Sequence, residues 1–66
     1  MTDQATEQLF TEQQVSYRLQ IALSTLRHWR TTNRGPVAIK LGNRVRYPGK
    51  ALDEWIEAQP RLGSTA

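Results

Sequence analysis

The sequence predicts a mainly α domain with one small β-hairpin: three short helices and a two-stranded ribbon. Apolar residues recur at helical spacing in three segments, Val15/Leu19, Leu26/Trp29 and Leu52/Trp55/Ile56. Across residues 37–47 the period drops to two, centred on Gly42-Asn43. The chain has 66 residues, no cysteine and one histidine, so a small core of side chains must hold it together without a disulfide or a thiolate zinc site. Phe10, Val15, Leu19, Ile21, Leu26, Trp29, Trp55 and the strand residues are the candidates for that core.

Residues 1–8 are polar, carry no period and read as a disordered leader. Thr11 is a good N-cap, Gln14 completes a capping box, and Phe10 and Val15 stand at the positions of a hydrophobic staple. These signals predict a first helix over residues 12–19. Gln20-Ile21-Ala22 breaks it without glycine or proline, and Ile21 is apolar where a loop would favour a polar residue, so its side chain is expected to plug the gap before the next helix. The second helix is expected over residues 23–32, closed by Asn33-Arg34-Gly35-Pro36, with Gly35 suited to a left-handed cap. Val37, Ile39 and Leu41 then alternate with Ala38 and Lys40; beyond the turn, Val45 and Tyr47 alternate with Arg44 and Arg46. Gly42-Asn43 suits a two-residue type II′ turn. The apolar side of this hairpin is expected to pack on the helices, with Lys40, Arg44 and Arg46 on its other face and tip. Pro48-Gly49 closes it, a third helix is expected over residues 50–58 with Asp53, Glu54 and Glu57 outward, and Pro60 stops that helix. Residues 9–59 thus form one domain, and 60–66 a flexible tail.

A short helix, a three-residue turn holding a buried aliphatic, and a second helix make a helix-turn-helix; with the hairpin it becomes a winged helix-turn-helix. The charge distribution bears on its use. Net charge is +3, yet from residue 13 to residue 52 eight basic residues (Arg18, Arg27, Arg30, Arg34, Lys40, Arg44, Arg46, Lys50) occur with no acid. Such a block repels itself unless a polyanion neutralises it, which points to duplex DNA as partner. A solvated basic surface that aids solubility is the plainer reading.

The first turns of a recognition helix must present short polar or long basic side chains to a major groove about 12 Å wide. Ser24, Thr25, Arg27 and His28 occupy that stretch, and Arg30 lies a turn further, towards the sugar-phosphate backbone. Ser24 and Thr25 equally suit an ordinary helix start, and Arg27 and His28 an ordinary solvated face. On the hairpin, Lys40, Asn43, Arg44 and Arg46 are candidates for a narrow groove or flanking phosphates, although charges also guard exposed edge strands. Tyr17, Arg18 and Arg34 are weaker candidates for the DNA backbone. No residue set suggests catalysis, a metal or a cofactor: His28 lacks partners for either chemistry. There is no apolar run near the ~20 residues of a membrane span and no signal segment, which suits the cytoplasm, a reducing compartment.

The segment LFTEQQVSYRLQIALSTLRHWR followed by GPVAIKLGNRVRYPGKALDEWIEA resembles the phage excisionase/AlpA type of helix-turn-helix domain, within the MerR-like winged-helix superfamily. The S-T-L-R second helix, the I-K-L-G-N-R-V-R-Y-P hairpin and the closing A-L-D-E-W-I helix carry the resemblance. It implies that Ser24, Thr25 and Arg27 enter the major groove, that Arg44 and Arg46 belong to the wing, and that Lys40 lies near the backbone. Two departures from the pattern stand out. Val15-Ser16 stands where two alanines are common, implying slightly wider helix packing, and Ala22 replaces the serine or threonine that caps the recognition helix. MerR regulators continue into a dimerisation helix and an effector domain, whereas this sequence ends at Ala66. The resemblance therefore implies an excisionase, a recombination directionality factor. Such a protein binds repeats at a phage attachment site, cooperatively with further copies of itself, bends the DNA and directs integrase toward excision. The acidic third helix or the tail would meet that integrase. A small AlpA-like transcriptional regulator would use the same surfaces, and a basic protein-interaction module stays open as a reading from another class.

Overall fold

The computed structural model describes residues 8–63. The leader expected over 1–8 lies outside the described residues except for Gln8, as does the 64–66 end of the expected tail. Six elements follow in order: β1 (Leu9–Phe10), α1 (Glu12–Leu19), α2 (Leu23–Thr31), β2 (Ile39–Leu41), β3 (Arg44–Pro48) and α3 (Gly49–Glu57). Three helices and a hairpin are as the sequence predicts. The addition is β1, which pairs antiparallel with β3 (Leu9 opposite Pro48, Phe10 opposite Tyr47) and makes the sheet three-stranded in the order β1-β3-β2.

The capping box at α1 is complete: Gln14 N donates to Thr11 Oγ1 at 3.0 Å and Thr11 N donates to Gln14 Oε1 at 2.9 Å. The helix ends because Gln20 turns left-handed, at φ 58°. That conformation lets Gln20 N reach Tyr17 O (3.2 Å) and Ile21 N reach Ser16 O (3.1 Å), so the end carbonyls of the helix are satisfied by a Schellman closure. Ser16 fastens the same turn from its side chain, donating from Oγ to Ile21 O at 2.6 Å. The serine thus serves the turn of the helix-turn-helix, beyond the packing change that its departure from the family pattern implies. Helix α2 closes in the same way around Asn33, at φ 59°, with Arg34 N on Trp29 O at 2.7 Å. The left-handed cap therefore falls on Asn33; Gly35, also at positive φ, lies two residues beyond it.

Val15, Leu26, Tyr47 and Leu52 form the fully buried core, one side chain from each of α1, α2, β3 and α3. Phe10, Leu19, Ile21, Leu23, Trp29, Ala38, Val45 and Ile56 pack around it. Trp55 instead pairs with Trp29, ring centroids 5.8 Å apart and tilted by 48°, at the edge of the core. Strand β3 is central both to the sheet and to the core, packing on α1 and on α3. Its end, Pro48, is the N-cap of α3, and buried Gly49 donates its N–H to Gln8 O at 2.7 Å. Pro48-Gly49 thus joins strand to helix and ties down the start of the described chain.

The hairpin face differs from expectation. The turn is the predicted two-residue Gly42-Asn43, with Gly42 at φ 64°, the positive first position of a type II′ turn. A two-residue turn sets Leu41 opposite Arg44, Lys40 opposite Val45 and Ile39 opposite Arg46. Opposed residues share a face, so Ile39 and Leu41 lie with Arg46 and Arg44, while Lys40 lies with Val45. Accordingly Val37, Ile39 and Leu41 are 55%, 37% and 49% exposed, and Ala38 is the residue of that arm that meets the core.

Candidate nucleic-acid interface

Helix α2 buries Leu26 and packs Leu23 and Trp29 on the core, which turns the opposite side outward. Ser24, Arg27, His28 and Thr31 are exposed there, at the i, i+3, i+4, i+7 spacing of one helix face. Thr25 and Arg30 are half-buried on the flanks. Thr31 is the member of this face that sequence reasoning missed, and its hydroxyl bonds back to His28 O at 2.8 Å. The start of the helix is capped by Ala22 in extended conformation, without a side-chain hydrogen bond, as the alanine implies.

The basic side chains from distant parts of the sequence converge. Arg27 and Arg30 of α2 line one open cleft together with Asn43, Arg44 and Arg46 of the hairpin, and the start of α1 (Thr11, Glu12, Gln13) contributes to the same lining. A second concavity adjoins it at the end of α2, where Arg30, Asn33 and Arg34 face Val37, Ile39 and Lys40. Arg30 and Val45 line both, so the two surfaces are continuous. Lys40 therefore joins the Arg34 side, and not the face that carries Arg44 and Arg46; the turn register is the reason. Arg46 also donates to Val45 O at 2.8 Å.

Arg18 lies elsewhere. Its guanidinium pairs with Asp53 of α3 at 2.9 Å and stands 5.4 Å from the centre of the Phe10 ring, joining α1 to α3. Tyr17 is exposed on α1 and lines neither concavity.

One functional group has no counterpart in the sequence reading. Glu12, the last acid before the cationic block, sits inside the basic cleft. Its Oε1 accepts from Arg27 Nη2 at 2.7 Å and from Arg27 Nε at 3.1 Å, and its Oε2 accepts from Arg30 Nη1 at 2.9 Å. Arg30 Nη1 also stands 3.4 Å from the Tyr47 hydroxyl, at the outer limit of a hydrogen bond. The Arg27 hydrogen bonds, and after them Arg30, hold the Glu12 carboxyl below the ordinary carboxylate range against the opposing effect of its burial. Separations of 15 and 18 residues hide these pairs from any local pattern.

Among the described residues no cluster of three or more histidine, cysteine or acidic side chains could hold a metal ion. No described helix is long and apolar enough to cross a membrane.

No curated protein and no solved structure matches the chain. A protein family does: the helix-turn-helix domain matches residues 9–60, from β1 to just past α3. That family binds double-stranded DNA and is typically non-enzymatic. With a match over most of its length and a helix-turn-helix bearing a basic hairpin, the chain belongs to the helix-turn-helix domain family of the excisionase/AlpA type.

Proposed function

We propose that this protein is a sequence-specific excisionase, an architectural factor that binds repeats at a phage attachment site, bends the DNA and directs integrase toward excision. The observation that carries the DNA-binding part is the single cleft lined by Arg27 and Arg30 from α2 and by Asn43, Arg44 and Arg46 from the hairpin. A helix and a ribbon sharing one basic surface suit a duplex, whose major groove takes the helix while adjacent phosphates or the next minor groove meet the ribbon. In this reading Ser24, Arg27 and His28 face base edges, with Thr25 at the flank. Arg30, Arg34 and Lys40 meet the sugar-phosphate backbone, and Asn43, Arg44 and Arg46 grip beside it. Arg18, engaged with Asp53, and Tyr17, outside both concavities, are set apart from this surface. The protein performs no chemistry of its own; integrase would do so. Asp53, Glu54 and Glu57, exposed on α3, would offer that partner carboxylates outside the cationic cleft, with Asp53 shared with Arg18 and Glu57 with Arg61.

A transcriptional regulator of the AlpA kind would bind DNA with the same side chains, so the discriminating experiment concerns the target. Footprinting on the host integration region should protect several adjacent repeats within an attachment site, and circularly permuted probes should show a bend. Protection of one promoter operator without a bend would replace excision by transcriptional control. A protein-interaction module of basic character predicts no duplex affinity even at low salt.

A further inference from the structure

We infer that Glu12 is a positioning residue for base recognition: its carboxylate grips one edge of Arg27 and thereby aims the other edge at a guanine. The inference rests on the DNA-binding reading above and adds a residue that local sequence reasoning leaves in the first turn of a helix.

The geometry is specific about edges. Arg27 engages Glu12 through Nε and Nη2, both on Oε1. The fork between Nη1 and Nη2 stays open, and among the described residues Nη1 makes no hydrogen bond. That fork presents two parallel N–H donors, the bidentate pattern that matches guanine O6 and N7. The carboxylate is itself held in place. Its second oxygen takes Arg30 Nη1, its backbone begins α1 next to the capping box, and its side chain is 20% exposed against 54% for Arg27. A long, mobile guanidinium is thus braced by a short, fixed anion, which lowers the ordering cost of a directional contact.

The charges suit the same role. An acid inside a cleft of four arginines weakens attraction to phosphates in general, which non-specific binding would not favour. With Glu12 ionised, Arg27 and Arg30 together present one net positive charge, so general affinity is lowered while the orientation of Arg27 is fixed. Such an exchange favours discrimination between sequences.

The test uses a pool of random-sequence duplex DNA, from which the whole chain selects its preferred site. Affinity is then measured for the selected duplex and for a scrambled duplex of the same composition. Glu12→Gln should raise affinity for the scrambled duplex and steepen the log–log salt slope by about one unit. The ratio of selected to scrambled affinity should fall by about 3- to 10-fold, the scale of ordering one long side chain, with the loss concentrated at a G·C pair. Glu12→Asp retains the charge at the helix start but withdraws it from Arg27, and should lower the ratio without raising scrambled affinity. It also carries the test if the glutamine variant does not fold, as judged by circular dichroism. A ratio unchanged in either folded variant overturns the inference while the DNA-binding reading stands. If the unaltered protein selects no sequence and binds no duplex at low salt, the DNA-binding reading fails and this inference fails with it.

Discussion

Gln20 and Ala22 flank the turn of the helix-turn-helix, and each is a suboptimal residue for its backbone. Gln20 is left-handed at φ 58°, which costs a side-chain-bearing residue roughly 1–2 kcal/mol. Ala22 has the extended conformation of an N-cap but no oxygen to accept an amide from the first turn of α2. Gln20→Gly should therefore raise stability by about 1 kcal/mol, and Ala22→Ser by about 0.5–1 kcal/mol, read as upward shifts in the midpoint of urea unfolding. A drop for either would mean that the side chain makes a contribution in the native turn that its geometry does not reveal. Arg27 belongs to this scale as well. Arg27→Ala should weaken binding to the selected site by about tenfold or more and remove the preference at one base pair; weaker binding with the preference intact would make it a phosphate contact. Much of this scale is legible in sequence. The Thr11/Gln14 box and the uncapped Ala22 are local patterns, and local patterns survive folding. The bracing of Arg27 by Glu12 is not legible, because helix packing brings together residues that no period relates.

The hairpin shows how an element can be recognised while its orientation is misjudged. Alternation locates both strands, and Gly42-Asn43 locates the turn. A two-residue turn, however, dictates that Leu41 faces Arg44, so the apolar residues of β2 cannot share a face with Val45 and Tyr47. The turn geometry prevails over the hydrophobic pattern, and Ile39 and Leu41 are left beside the arginines of the wing. Strand β1 is illegible for another reason: two residues are too few to show alternation, and only their pairing with Tyr47 and Pro48 defines them. The arginine positions yield a prediction for this element. Replacing Arg44 and Arg46 together by alanine should flatten the salt dependence of DNA binding, by about one unit of log–log slope for each phosphate that the wing no longer neutralises. Filter-binding measurements across a range of salt would show it, and an unaltered slope would mean that the wing touches no phosphate.

At the scale of the molecule, four fully buried side chains hold together elements that none could stabilise alone. A domain of this size has only about 0.05–0.15 kcal/mol of stability per residue, and Leu26→Ala should cost about 2–5 kcal/mol. That variant should be largely unfolded at 37 °C by circular dichroism; a cooperative melt near that of the unaltered protein would mean that the core closes over the cavity. Stability should also respond to pH through Glu12, which faces the permanently charged Arg27 and Arg30, with the Tyr47 hydroxyl beyond Arg30. Its carboxyl is held below the ordinary value of 4.5, so its contribution is complete above that pH and is lost as acid carries the solution down through the lowered value. The stability advantage over Glu12→Gln should accordingly narrow below pH 4.5, and curves that stay parallel would contradict it. Helix and hairpin should act on one duplex from one side, and an NMR titration of the labelled protein with duplex DNA at low salt tests it residue by residue. The largest shifts should fall together on Ser24, Arg27, Arg30, Asn43, Arg44 and Arg46, with Asp53, Glu54 and Glu57 of α3 unmoved. Shifts centred on α3, or confined to α2 while the hairpin stays silent, would contradict it.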